Sequence, residues 1–258
     1  MEEGLHITLK SERLFEVWGF PITNATVTMW AVMAVLLFVA FLVGRSLKLK
    51  PGKAQTGVEM FTEYLLGMIQ QTLGTRALAV RYFPLLMTIF IFIFAANMFD
   101  FLPIFGTVGW HAEGGEFVPL FHAVNADLNT TLALAIISFF VIEISGIATL
   151  GVLKYGSKFV NFTGGAMMFV VGLLELIGNL ARLISFSFRL FGAIFAGEVL
   201  LLVIAHFLPY IAPVPLMAFE AFIGLLQAAV FAILTMAFIK IAIDEPHGSH
   251  EAHPAAAH

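Results

Sequence analysis

Arg189 lies within an apolar stretch, running from about Phe159 to Ile243, that few charges interrupt. A guanidinium stays protonated at any biological pH, and placing one at the centre of a bilayer costs about 3 kcal/mol on insertion scales. A negatively charged partner is therefore expected. On a helical wheel, at about 100° per residue, Arg182 and Glu175 fall on nearly the same face as Arg189, whereas Glu198 points to the opposite side. One helix thus carries two chemically different sides. Ser185, Gly192, Ala193 and Ala196 complete the arginine face with small groups that let a neighbouring helix come close. Ordinary helix packing would account for the small residues alone, but not for a mid-helix arginine among them.

Glu220 and Gln227 share a helical face with Gly224 between them. A carboxyl group in an apolar setting exchanges protons nearer neutral pH than one in water, so Glu198 and Glu220 are candidates for a proton relay. Their other reading is a pair of glutamates at a membrane interface. Asn97, Asp100, Asp127 and Asn129, near the ends of earlier apolar runs, suit the lining of an aqueous entrance and equally suit loop solvation. Glu143 suits either a contact with a partner helix or a proton role.

These groups sit in an unusual background. Hydrophobic residues make up 60% of the chain and charged residues 12%, and the mean hydropathy is +0.96, which together indicate a polytopic membrane protein. At roughly 20 residues per span, the 258 residues hold five or six spans and leave no large soluble domain. The absence of cysteine excludes disulfides, thiolate metal sites and cysteine nucleophiles. No basic stripe supports a nucleic-acid role. Glu2, Glu3, Lys10, Glu12, Arg13 and Glu16 do not make the pattern of a cleaved signal peptide, so the first apolar run is expected to be a retained span.

The expected fold is an all-α polytopic membrane protein, a single membrane domain over 1–258. An outside N-terminal segment, 1–24, precedes a span at 25–44. Arg45, Lys48, Lys50 and Lys53 follow at once and place that loop in the cytoplasm. Residues 56–75 mix Glu59, Glu63, Gln70 and Gln71 with large apolar groups, which predicts an amphipathic interfacial helix. Further spans are expected at 82–99 and 128–153. Between Asp100 and Asp127 there is no Lys or Arg, as an outside loop requires; Pro103, Gly106, Gly109, Gly114 and Gly115 mark it as a loop, and Lys154 and Lys158 return the chain to the cytoplasm. Segments 165–205 and 216–243, joined by a turn with Pro209, Pro213 and Pro215, are too long for two upright helices and predict a long tilted hairpin. Residues 244–258 read as a disordered cytoplasmic tail, with metal binding by its histidines as the minor reading. No internal repeat is visible.

The run Phe188-Arg189-Leu190-Phe191-Gly192, followed by Ala196-Gly197-Glu198, resembles the signature of subunit a of the F-type ATP synthase membrane sector. Pro51 to Thr56 with Glu59, Asn97 to Pro103, Asp127-Leu128-Asn129 and Gln227 occur in the order that family shows them, so the resemblance covers most of the chain. It implies the stator half of a proton turbine, packed against a ring of subunit c whose hairpins each carry one membrane-embedded carboxylate. Two offset half-channels would reach that ring from opposite sides. Arg189 takes the position of the family's essential arginine. Glu198, Glu220 and Gln227 take those of its outer half-channel, Asn97, Asp100 and Asp127 lie nearer the entrance, and Glu175 takes the inner acidic position, with Ser185 beside the arginine.

Two departures stand out: Ala193 replaces the Asn common four residues after the arginine, and Glu220 stands where some members have histidine, so Glu198 and Glu220 are expected to titrate as a unit. The implied partners are the ring of subunit c, a peripheral stalk with subunit b, the catalytic head and the lipid membrane, with no cofactor and no metal. A bacterial plasma membrane is the first expectation, ahead of a thylakoid or an organelle inner membrane. The chain has no GxxxxGK loop and so no nucleotide site of that type. The competing readings are a proton-coupled secondary transporter, which would bind a small solute at mid-membrane, and a non-catalytic scaffold, which would tolerate loss of Arg189.

Overall fold

The computed structural model describes residues 11, 13–17, 19–48, 50–102, 108–111, 117–152, 155–156, 165–208 and 211–244. The first ten residues and Glu12, Pro103, Gly106, Gly114, Gly115, Lys154, Lys158, Pro209 and the histidine-bearing tail after Asp244 lie outside them. Among the described residues the fold is helical, with six long helices and two short ribbons. The helices are α1 (Asn24–Ser46), α2 (Lys53–Leu73), α3 (Arg76–Phe99), α4 (Leu128–Leu150), α5 (Gly165–Phe207) and α6 (Pro213–Ile243). All but α2 are long and apolar enough to cross a membrane. The ribbons, which the apolar pattern did not announce, pair β1 (Arg13–Val17) with β2 (Phe20–Thr23) and β3 (Gly109–His111) with β4 (Phe117–Pro119), both antiparallel.

Local chemistry sets the helix ends. Thr23 starts α1 by accepting the Thr26 N–H at 3.3 Å, and Thr75 starts α3 by accepting that of Leu78 at 3.3 Å. That cap begins α3 at Arg76, ahead of its uncharged run. Gly74, at φ +86°, closes α2 with its N–H on the Gln70 carbonyl; the left-handed conformation suits glycine and turns the chain sharply into α3. Gly151 ends α4 with a positive φ of +83° but an extended ψ of 153°, a conformation open to glycine, and its N–H bonds the Ile147 carbonyl. Pro213 and Pro215 open α6, where a missing N–H costs no intrahelical bond.

Helix α6 packs against α3, α4 and α5, and α5 also packs against α4. Ile89 and Ile93 of α3, Ala135 of α4, Phe186, Leu190 and Ile194 of α5, and Ala228 and Phe231 of α6 form one apolar core. Helix α2 closes one end of the bundle through Leu66, Ile69 and Leu73, against Tyr82, Leu86, Met236 and Ile239. Two buried hydroxyls within the spans turn to their own helix: Thr235 donates to the Phe231 carbonyl at 2.9 Å and Thr28 to the Asn24 carbonyl at 3.0 Å. The 43 residues of α5 rise about 64 Å, about twice the roughly 30 Å of a bilayer's apolar core.

Candidate functional site

Where α3 ends, α4 begins and the α5–α6 hairpin closes, polar side chains from separate segments converge. Asn97, in the last turn of α3, donates to the Gly224 carbonyl of α6 at 3.0 Å and accepts from Asn125 at 2.6 Å. A side chain at 224 would collide with Asn97, its Cβ falling 2.9 Å from the asparagine Cβ. Gly197 of α5 makes the same allowance for Glu220 of α6, whose Oε1 lies 2.9 Å from where a Cβ at 197 would be. The two glycines let α3, α5 and α6 approach closely around polar groups.

Asp100 caps the end of α3 beside this junction. Burial raises its pKa well above the ordinary carboxylate value, and the charges of Glu198 and Glu220 raise it further. Its Oδ1 is buried without a hydrogen-bond partner among the described residues. His122 reaches the cluster from the loop before α4, with Nδ1 4.0 Å from Glu198 Oε1. Its backbone N–H is fixed on Thr28 Oγ1 of α1 at 3.1 Å. Burial lowers the pKa of this imidazole, and Asp127 acts in the opposite direction. Asp127 is itself the N-cap of α4, accepting the Asn129 N–H at 2.8 Å and a hydrogen bond from Ser11. Gln227 and Glu220 line a cavity of about 390 Å³ between α5 and α6, which Ala193 and Gly197 line from the other side.

Arg189 occupies a different surface. It is exposed, and its Nη2 donates to Ser185 Oγ at 3.5 Å. Among the described residues it makes no ion pair. Leu174, Ile177, Leu180, Ile184 and Phe188 of the same helix are also exposed, so the guanidinium stands in a broad apolar face. Glu198 is nine residues on, about 13 Å along the axis, and faces the interior polar cluster. Arg182 shares the arginine side on the wheel but reaches back across the bundle, its guanidinium 4.3 Å from the centre of the Phe238 ring.

Toward the other end of the bundle, Glu143 of α4 accepts hydrogen bonds from Tyr155 Oη at 2.9 Å and from Asn179 of α5 at 3.2 Å. The Tyr155 ring packs where Gly146 leaves room, and a Cβ there would collide with it. Burial raises the Tyr155 pKa, as do Glu143 and then Glu175, while Arg182 opposes them. Glu175 is half-buried and contributes to this field.

The structure thus brings Asp100, Glu198 and Glu220 together, attaches Asn97 to the same junction, places Gln227 on the adjoining cavity, and keeps Arg189 with Ser185 apart on the outer face. Asp127 serves chiefly as a cap, and Glu175 belongs to the opposite end. Sequence reading missed His122, Asn125, Tyr155 and Asn179. The available signal was weak, a lone polar residue in each apolar or loop segment.

The family model of the ATP synthase A chain matches residues 26–240. The chain belongs to this family. ATP synthase subunit a of Moorella thermoacetica is 31% identical over 226 residues, covering 88% of this chain and 93% of the relative. Its counterpart from Campylobacter jejuni subsp. jejuni is 35% identical over 223 residues, covering 84% and 89%. That of Campylobacter fetus subsp. fetus is 32% identical over 220 residues, covering 84% and 89%. With five membrane-length apolar helices, this member of the ATP synthase A chain family is an integral membrane component of an ATP synthase complex.

Proposed function

We propose that the chain is the stator of a rotary proton channel, with Arg189 as the fixed charge that a carboxylate ring turns past. The observation that carries this reading is the position of Arg189: a permanent cation, exposed on an apolar helix face, with no anionic partner among the described residues. In a membrane such a charge calls for an anion from another subunit. A ring of c subunits, each presenting one carboxylate, supplies it. Gly192 leaves open space on the same helix for a neighbour to come close.

The proton path follows from the two polar ends. Glu198, Glu220 and Gln227, with Asn97, Asp100 and Asp127 at the mouth, form the outer half-channel, and Glu175 marks the inner one. A ring carboxylate meeting Arg189 loses its proton, because an adjacent permanent cation favours the anion. The next carboxylate is protonated from Glu198 and Glu220 and enters lipid neutral. Arg189 also repels protons and so blocks a direct hop between the half-channels. Each proton crossing about 100 mV releases about 2.3 kcal/mol, so several must pass for each ATP made.

Positive residues at 45–53 and none from 100 to 127 support an N-terminus outside and a C-terminus in the cytoplasm, and the bacterial relatives support a bacterial plasma membrane. The amphipathic α2, whose Val58, Met60, Phe61 and Tyr64 are exposed, offers a lateral face for a peripheral-stalk b subunit. No nucleic acid takes part. Arg189→Lys tests the assignment, because a lysine covered by the ring can discharge and lacks the planar guanidinium fork. The variant complex should fail to sustain ATP synthesis; a normal rate would refute the assignment.

A further inference from the structure

We infer that His122 is the proton donor to Glu198, presented by the loop before α4 rather than by either helix of the hairpin. The inference rests on the proton-path reading above and adds a residue that neither the family signature nor the helical pattern singles out. The side chain of His122 is partly exposed, at 16% against 31% for Glu198, and its Nδ1 lies 4.0 Å from Glu198 Oε1. That separation is at the edge of ion-pair range and longer than a hydrogen bond, so transfer takes place through one bridging water or on closer approach of the two side chains.

Its placement is specific. The His122 backbone is held to Thr28 of α1, and the next five residues, Ala123 to Asp127, are buried. The charged or titratable groups facing it are Glu198 from α5 and Asp127 from its own loop; Asp100 at the end of α3 and Glu220 of α6 couple to Glu198. Among the described residues no lysine or arginine pairs with Asp100, Glu198 or Glu220. The imidazole is thus the one described group beside these carboxyls that becomes cationic on gaining a proton.

The Nδ1–H bond of the imidazolium breaks, the proton passes to a carboxylate oxygen of Glu198, and a neutral imidazole and a carboxylic acid result. The imidazole then takes its next proton from the outer solution. Burial makes His122 a readier donor than a solvated histidine.

The test uses the assembled complex in sealed vesicles, with subunit content checked by blotting. His122→Gln should lower ATP synthesis about a hundredfold at equal driving force and remove the rise in rate as the outer pH falls from about 7 to about 5. Added imidazole should restore part of the rate of His122→Ala. A full rate in both variants would overturn the inference. So would a loss that imidazole does not relieve and that leaves the pH profile unchanged, since that pattern marks a packing role. Arg189→Ala, run in parallel, separates the two levels: if it blocks synthesis while His122→Gln does not, only the histidine inference fails. If Arg189→Ala also works normally, the stator reading fails with it.

Discussion

At position 224 a single methyl group would fall 2.9 Å from the Asn97 Cβ, so Gly224→Ala must push α3 and α6 apart or break the bond from Asn97 to the Gly224 carbonyl. Overpacking of this kind costs about 1–3 kcal/mol, and the purified complex should show a lower thermal midpoint. Gly197→Ala meets the movable end of Glu220 instead. It should assemble normally yet pump more slowly, because the carboxyl is displaced from its partners; unchanged pumping would show that the Glu220 position does not matter. Asp100 gives the pH prediction. Its folded pKa is raised by burial and by Glu198 and Glu220, so between the unfolded value of about 3.9 and that raised value the folded chain holds more protons than the unfolded one. Stability therefore falls as pH rises through this window. Asp100→Asn should flatten that decline, measured as the thermal midpoint against pH. An equal decline in the variant would assign it to another group.

Helix α5 is the element on which the account turns, and its two sides were legible in sequence because Arg189 and Glu198 are nine residues apart, two and a half turns. Periodicity alone did not tell which side meets the rest of the chain; the structure puts Leu190 in the core at 1% exposure and leaves Phe188 at 55%. Because the chain lacks cysteine, single cysteines report this cleanly. Phe188→Cys should form a disulfide with a cysteine on the facing ring helix, and Leu190→Cys should not; cross-linking from both positions to equal extent would contradict the assigned face. Helix α4 depends on its cap, and Asp127→Ala should cost about 1 kcal/mol of stability through loss of the bonds from Asn129 and Ser11. Legibility was poorest in the loop before α4. His122 carries no periodic signal, and only the closing of that loop over α1 brings it to Glu198.

The described residues make a bundle with many exposed apolar side chains, polar clusters toward two ends and Arg189 on an apolar flank. Apolar runs and positive loops made the membrane class and the helices readable from sequence, since lipid dictates both. The ribbons β1–β2 and β3–β4 were not readable, being short and lying between the long apolar segments. The convergence of Asp100, His122, Glu198 and Glu220 was only partly foreseen, because it depends on how four segments cross rather than on spacing within one. A stator needs its flank charge, whereas a scaffold needs only its packing surfaces. The most direct test is ATP-driven proton pumping in vesicles carrying the assembled Arg189→Ala complex, with the content of every subunit verified. That complex should assemble normally and fail to pump; normal pumping after normal assembly would refute the stator role of Arg189.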